Sequence, residues 1–189
     1  MDLMELITTR HSVRDYLPDP IPDDILKEIL EAGRLAPSAR NRQPWRYIVF
    51  TSNSDIKELS LRCGLIGLSN IFIRKAPCII VACADTNYNV RINKQDYYLV
   101  DTAISVQQMV LTAWSHGIGS CWIAAFNEKT LKKYLHLPPS WRIVALLPLG
   151  YPAEKKSLYT QALSTFPHSK NRLPLDKIVT YYHKNEDEE

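Results

Sequence analysis

The chain is 189 residues long, 46% hydrophobic and 23% charged, with a formal net charge of +3 at neutral pH. That length and balance suit one globular domain with a real core and exclude disordered and fibrous classes. Its 23 Lys and Arg residues are scattered rather than gathered into a stripe, so no nucleic-acid partner is expected.

The opening, "MDLMELITTRHSVRDY", carries Leu3, Met4, Leu6 and Ile7 at helical spacing but lacks the apolar run of a signal peptide. No stretch is long and apolar enough to span a bilayer, so the expectation is a cytoplasmic chain with no membrane partner. A second helix is predicted over "PDDILKEILEAGRLA", with Asp23 and Asp24 at its positive end. Pro37 and Pro44 deny a helix to the stretch between them. "RYIVFTS" and "PCIIVACAD" then read as strands on either side of a helix at "SDIKELSLRC". Cys63, Cys78, Cys83 and Cys121 form no C-x-x-C pair and read as buried, reduced thiols.

The longest periodic element runs from 94 to 116. Its Val100, Ala103, Ile104, Gln107, Val110, Leu111 and Trp114 fall on one broad stripe that suggests burial on more than one side. Gly117 is placed to end it; "IGSCWIAAF" reads as a strand, "NEKTLKKYLHL" as a helix capped by Asn127, and "WRIVALLPLGYP" as a further strand. Helices and strands alternate without a regular βαβ rhythm and without G-x-G-x-x-G. The fold class expected is therefore α+β, one domain over residues 1–189 with an irregular C-terminal arm from about 153.

Three groups of residues could carry chemistry. Arg10, Ser12 and Arg14 in "RHSVR" combine two guanidinium forks with a hydroxyl where the first helix should stop, which suits a phosphate or equally a solvated helix end. In "PSARNRQPW", Ser38, Asn41 and Gln43 offer donors and acceptors on a loop stiffened by prolines and anchored by Trp45. A flat heterocycle would use such a lining, and so would a loop satisfying its own backbone. Tyr88, Tyr97 and Tyr98 could stack on a planar molecule or simply pack, and Asp101 could be a buried hydrogen-bonding group or face water. None of His11, His116, His136, His168 and His183 pairs with another at ligand spacing, so no metal is expected.

Taken together, "RHSVR", "APSARNRQPW", "HGIGSCWIAAFN", "ALLPLGYP" and "SKNRLP" resemble, in order, the motifs of the FMN-dependent nitroreductase family. The resemblance implies a mixed, mainly antiparallel sheet flanked by helices, and a homodimer with FMN between subunits and a C-terminal extension onto the partner. It also implies that NAD(P)H reduces the flavin and a small conjugated acceptor, such as a nitroaromatic or a quinone, reoxidises it. Relatives specialised for dehalogenation, flavin breakdown or azoline oxidation, or a non-catalytic flavin binder, are the alternatives. By the same resemblance Arg10, His11, Ser12 and Arg14 contact the flavin, as do Pro37 and Gln43, while Ser38, Ala39 and Asn41 reach it from the other subunit. Asn70 lies near its ribityl or pyrimidine part, and Lys170 and Arg172 meet its phosphate. Ala124 and Ala125 occupy the turn beside its central ring. Some members carry an acidic residue and a glycine at that turn, so a backbone contact there survives the difference and a side-chain role does not.

Overall fold

The computed structural model describes residues 2–64, 70–155, 157, 161 and 171–182. Its elements are α1 (Leu3–Thr9), α2 (Asp23–Arg34), β1 (Trp45–Phe50), α3 (Asn53–Arg62), β2 (Cys78–Asp85), β3 (Arg91–Ile92) and β4 (Gln95–Asp96), followed by α4 (Tyr97–Ser115), β5 (Gly119–Ser120), α5 (Glu128–Tyr134) and β6 (Trp141–Gly150). Two compact units result, Met1–Lys155 and Lys156–Glu189. In the second, residues 171–182 hold one short turn of helix at Leu175–Lys177 and expose Leu173, Leu175, Ile178, Tyr181 and Tyr182.

The fold of the first unit is α+β. Its main sheet has the order β1-β2-β6-β5 with every neighbour antiparallel, and β3 and β4 form a separate hairpin. Successive side chains of a strand point to opposite faces, and β2 buries both. Ile79, Val81 and Cys83 join Ile56 and Leu59 of α3 and Leu131 of α5 on one side. On the other, Cys78, Ile80 and Ala82 meet Ile29 of α2 and Val106, Met109 and Ala113 of α4. All four cysteines are buried with free thiols.

Three sequence expectations need correction. The long helix begins at Tyr97, not 94, because Asn93 and Lys94 take left-handed backbone (φ 52 and 64) and turn the β3–β4 hairpin. Asn89 then caps α4 from a distance: its Oδ1 accepts from the Tyr98 amide at 3.1 Å while its Nδ2 donates to Asp96 at 2.8 Å. Only part of the expected apolar stripe is buried: Val110 lies inside and Ala103, Leu111 and Trp114 are half-buried, while Val100, Ile104 and Gln107 are exposed and the buried side also carries Asp101, Thr102, Ser105, Val106 and Met109. Small and hydroxyl side chains let α2 approach there, and Ser105 Oγ donates to the Gly33 carbonyl at 2.6 Å and meets the Tyr47 hydroxyl.

The third correction concerns "IGSCWIAAF", where the regular ladder ends at Ser120 and loses a rung at Cys121, although Ile123 still exchanges both backbone bonds with Leu146 in the same register before the chain leaves β6. Pro148 of β6 explains the missing rung. Its carbonyl accepts from the Cys121 amide at 3.4 Å. In a strand a residue's C=O and N–H share a side, so the donor that would continue the pairing is the one proline lacks.

Gly33 is where α2 meets α4 most closely: a Cβ there would fall 2.1 Å from Met109 Cε and 2.9 Å from its Cγ. Overpacking of this kind costs about 1–3 kcal/mol, more than the roughly 1 kcal/mol that alanine gains over glycine in a helix. Gly33→Ala should therefore lower the urea midpoint, and in a Met109→Ala background the same change should be neutral or stabilising.

Candidate active site

Gly119 seats the first wall. After α1 the chain turns at Arg10 (φ −57, ψ 128) and runs along β5, where Ser12 bridges Ser120 and the Val13 amide donates to the Ser120 carbonyl at 2.8 Å. That approach requires glycine at 119, because a Cβ would stand 2.5 Å from Val13 Cγ2. Arg10 and Arg14 are half-buried, and neither has a carboxylate partner among the described residues. Burial pushes the Cys121 thiol up, and Arg14, a hydrogen bond with Ser12 and Arg10 pull it partway back. His11 turns away from them: its Nδ1 lies 3.2 Å from the Thr9 carbonyl and its ring meets Trp114 edge-on at 5.0 Å.

Beyond Cys121 the chain forms the Ala124–Ala125 turn. Buried Asn70 fixes it by donating from Nδ2 to the Ala125 carbonyl at 2.7 Å, which brings together two positions 55 apart in the sequence. Both alanines are exposed, and their amides have no protein acceptor among the described residues.

The loop from Pro37 to Gln43 forms the second wall. Arg40, Asn41 and Gln43 all have positive φ (53, 54 and 49), a conformation that non-glycine residues hold only under constraint. Ser38 Oγ accepts from the Gln43 amide at 3.0 Å, and Gln43 Nε2 donates to the Asn41 carbonyl and Oδ1 at 3.2 and 3.0 Å. The loop is thus partly self-satisfying, as its composition also allowed. Past it Trp45 is buried, and Arg46 donates to the Gln43 and Trp45 carbonyls and lies 4.9 Å over the Tyr88 ring. Tyr98 is buried and Tyr97 half-buried.

Asp101 is the residue whose part in this site was open in the sequence. It is 2% exposed, and its Oδ1 accepts from the Ala39 amide at 2.9 Å. Its Oδ2 is buried without a partner among the described residues. Burial pushes its carboxyl up, and the Ala39 hydrogen bond pulls it partway back. A lone acid in an apolar helix was the available signal; its partner, 62 positions earlier, was not legible.

The two walls stand at opposite ends of α4. Asp101 holds the loop near its start, while Trp114 near its end donates to Thr9 Oγ1 at 2.9 Å, a separation of about 20 Å along the axis at 1.5 Å per residue. Of the remaining expected contacts, Lys170 lies outside the described residues, and Arg172 is exposed in the second unit, donating to the Asn171 carbonyl at 3.0 Å.

An antiparallel sheet lies between helices, with Arg10 and Arg14 toward one end of α4 and the Pro37–Gln43 loop toward the other. A model of the Nitroreductase family matches residues 7–64 and 66–151, and the chain belongs to that family. It is 31% identical to an Archaeoglobus fulgidus protein with the provisional name NADH dehydrogenase/NAD(P)H nitroreductase, over 84% of this chain and 90% of the other. Among solved structures, a nitroreductase family protein from Clostridium difficile 630 matches with a TM-score of 0.80 and 28% identity, over 97% of this chain and all of that one. An FMN-dependent nitroreductase from Clostridium difficile R20291 matches with a TM-score of 0.72 and 27% identity, over 90% of this chain and 98% of the other.

Two outcomes follow from this geometry. Gly119→Ala should lift Val13 from β5 and lower the melting temperature, with faster hydrogen exchange at the Val13 amide. Because burial raises the Asp101 carboxyl in the folded state, that state holds the proton more tightly than the unfolded one. The stability this group contributes is then full in acid and falls as pH rises above about 4. Asp101→Asn, which cannot ionise, should gain stability relative to wild type between pH 3 and pH 7 in denaturation curves.

Proposed function

We propose that two copies of this chain hold FMN between them and pass electrons from NAD(P)H to a small conjugated acceptor such as a nitroaromatic or a quinone. The observation that carries this is the pair of guanidinium groups, Arg10 and Arg14, held with Ser12 on a rigid seat and lacking any carboxylate among the described residues. A half-buried cation pair of this kind suits a dianionic phosphate or an anionic ring edge.

The donor set fits a flavin at other points as well. The Ala124 and Ala125 amides lack protein acceptors and suit a ring nitrogen, and Ser38, Asn41 and Gln43 suit its polar edge. The chemistry that bound FMN supplies is two-electron transfer between nicotinamide and acceptor. The chain's own residues bind and orient: Arg10, Ser12 and Arg14 take the anionic part, Asn70 holds the Ala124–Ala125 turn in place, and the loop closes one side of the ring. The match to an FMN-dependent nitroreductase agrees with this assignment.

The second copy follows from the separation of the walls, since one protomer offers its loop and its cation cluster about 20 Å apart along α4. Leu99, Val100 and Ile104 of α4 and Leu3, Met4 and Ile7 of α1 are exposed, an apolar surface that association would cover.

The purified protein should be yellow and release FMN, not FAD, on denaturation; chromatography that finds FAD, or no flavin after reconstitution, rejects the proposal. Arg14→Ala should weaken FMN binding by about 1.5–3 kcal/mol through loss of a charge-assisted bond, and Arg40→Ala should weaken it less, in titrations of the apoprotein. Dilution below the dimer constant should release FMN as the subunits part, and a monomer that keeps stoichiometric FMN in sedimentation would contradict the shared site.

A further inference from the structure

We propose that Asp101 is the positioning residue of the flavin-facing loop, and that it acts through one hydrogen bond to the Ala39 amide rather than through its charge. This assignment deepens the function proposed above and rests on it. The loop holds three non-glycine residues in left-handed backbone, Arg40, Asn41 and Gln43. Such conformations persist only where the surroundings impose them. Bonds between Ser38, Asn41 and Gln43 keep the loop's shape but do not fasten it to the body of the protein. Its far end is fastened through Trp45, buried at the start of β1, and Arg46. At its near end the Ala39 amide is fastened by Asp101 Oδ1 at 2.9 Å.

The carboxyl is an expensive choice for that task. It is 98% buried and one of its oxygens has no partner among the described residues, a state that an apolar side chain would avoid altogether. What an apolar side chain lacks is an acceptor for the Ala39 amide, so the acceptor is the property retained. The position of Asp101 on α4 gives that bond a further consequence. Its neighbours Leu99 and Val100 and, one turn on, Ile104 are exposed, so the turn of helix that fixes the loop is the same turn that offers apolar surface to a second copy.

The test compares Asp101→Ala and Asp101→Asn in the full chain by two measurements. The first is hydrogen exchange at the Ala39 amide in flavin-free protein. The second is FMN affinity by flavin fluorescence, with the dimer constant followed by sedimentation. Asparagine keeps the acceptor and removes the charge. Loss of one buried hydrogen bond predicts about tenfold faster Ala39 exchange and about tenfold weaker FMN binding in Asp101→Ala, with the dimer constant of the flavin-free protein unchanged. Asp101→Asn should stay within about threefold of wild type in both, since its bond is intact. Wild-type exchange and affinity in Asp101→Ala would overturn the proposal, and so would equal damage in Asp101→Asn, which would assign the role to charge. If the alanine variant does not fold, Asp101→Leu, which keeps the volume, takes its place in the comparison. A wild-type protein that takes up no FMN would reject the proposed function, while exchange at Ala39 would still decide whether Asp101 fixes the loop.

Discussion

The close approach of α2 to α4 is the constraint on which the site depends. With no side chain at Gly33, Met109 fills the space and the Gly33 carbonyl comes within 2.6 Å of Ser105 Oγ. Ser105 in turn meets Tyr47 on β1, so two helices and the edge strand are tied through one hydroxyl. Apolar packing alone tolerates sliding, because its energy scales with area and has no direction. A hydrogen bond made in the interior does have direction, and leaving it unmade is costly. The seat of α4 is thereby fixed in register as well as in depth. Both walls hang from that helix, at Asp101 and at Trp114, so an error in its register would displace both at once.

Much of this was legible from local chemistry. Asn127 caps α5, its side chain accepting from the Thr130 amide at 3.0 Å, and Gly117 ends the α4 segment with φ 73. The β-branched run at Cys78–Asp85 is the central strand with both faces buried. Pro37 and Pro44 bracket an irregular loop with one turn of 3₁₀ helix at Ala39–Asn41. What stayed hidden has one cause: local pattern reports which residues prefer burial, not which neighbour arrives. The buried side of α4 was misjudged because the neighbour arrives through a glycine and accepts hydroxyl partners, so polar Thr102 and Ser105 lie inside while Val100 lies outside. Asp101 was undecided for the same reason.

Electrostatics and folding pull against each other in the first wall. Arg10 and Arg14 are half-buried on one short segment without a carboxylate among the described residues to offset them. Like charges at close range disfavour the compact state. The segment is kept in place by backbone contacts to β5 and by the tie from Thr9 to Trp114, neither of which depends on charge. α1 itself is seven residues long with nothing buried, too short to be stable alone. The cluster is therefore presented by the sheet, and the helix before it follows.

Pro148 shows how an opening in a sheet can be made robust. A gap produced by side-chain clash can be closed when those side chains change, whereas an amide hydrogen missing from the main chain cannot be supplied by any substitution elsewhere. The missing rung between Cys121 and Pro148 is of the second kind. Trp122, Ala124 and Ala125 are exposed beyond that rung, and Asn70 holds the turn by its backbone carbonyl. Side chains at the turn are thus released from any duty in shaping it, and the sequence there can drift, or be selected for a new acceptor, without disturbing the backbone donors that the turn presents.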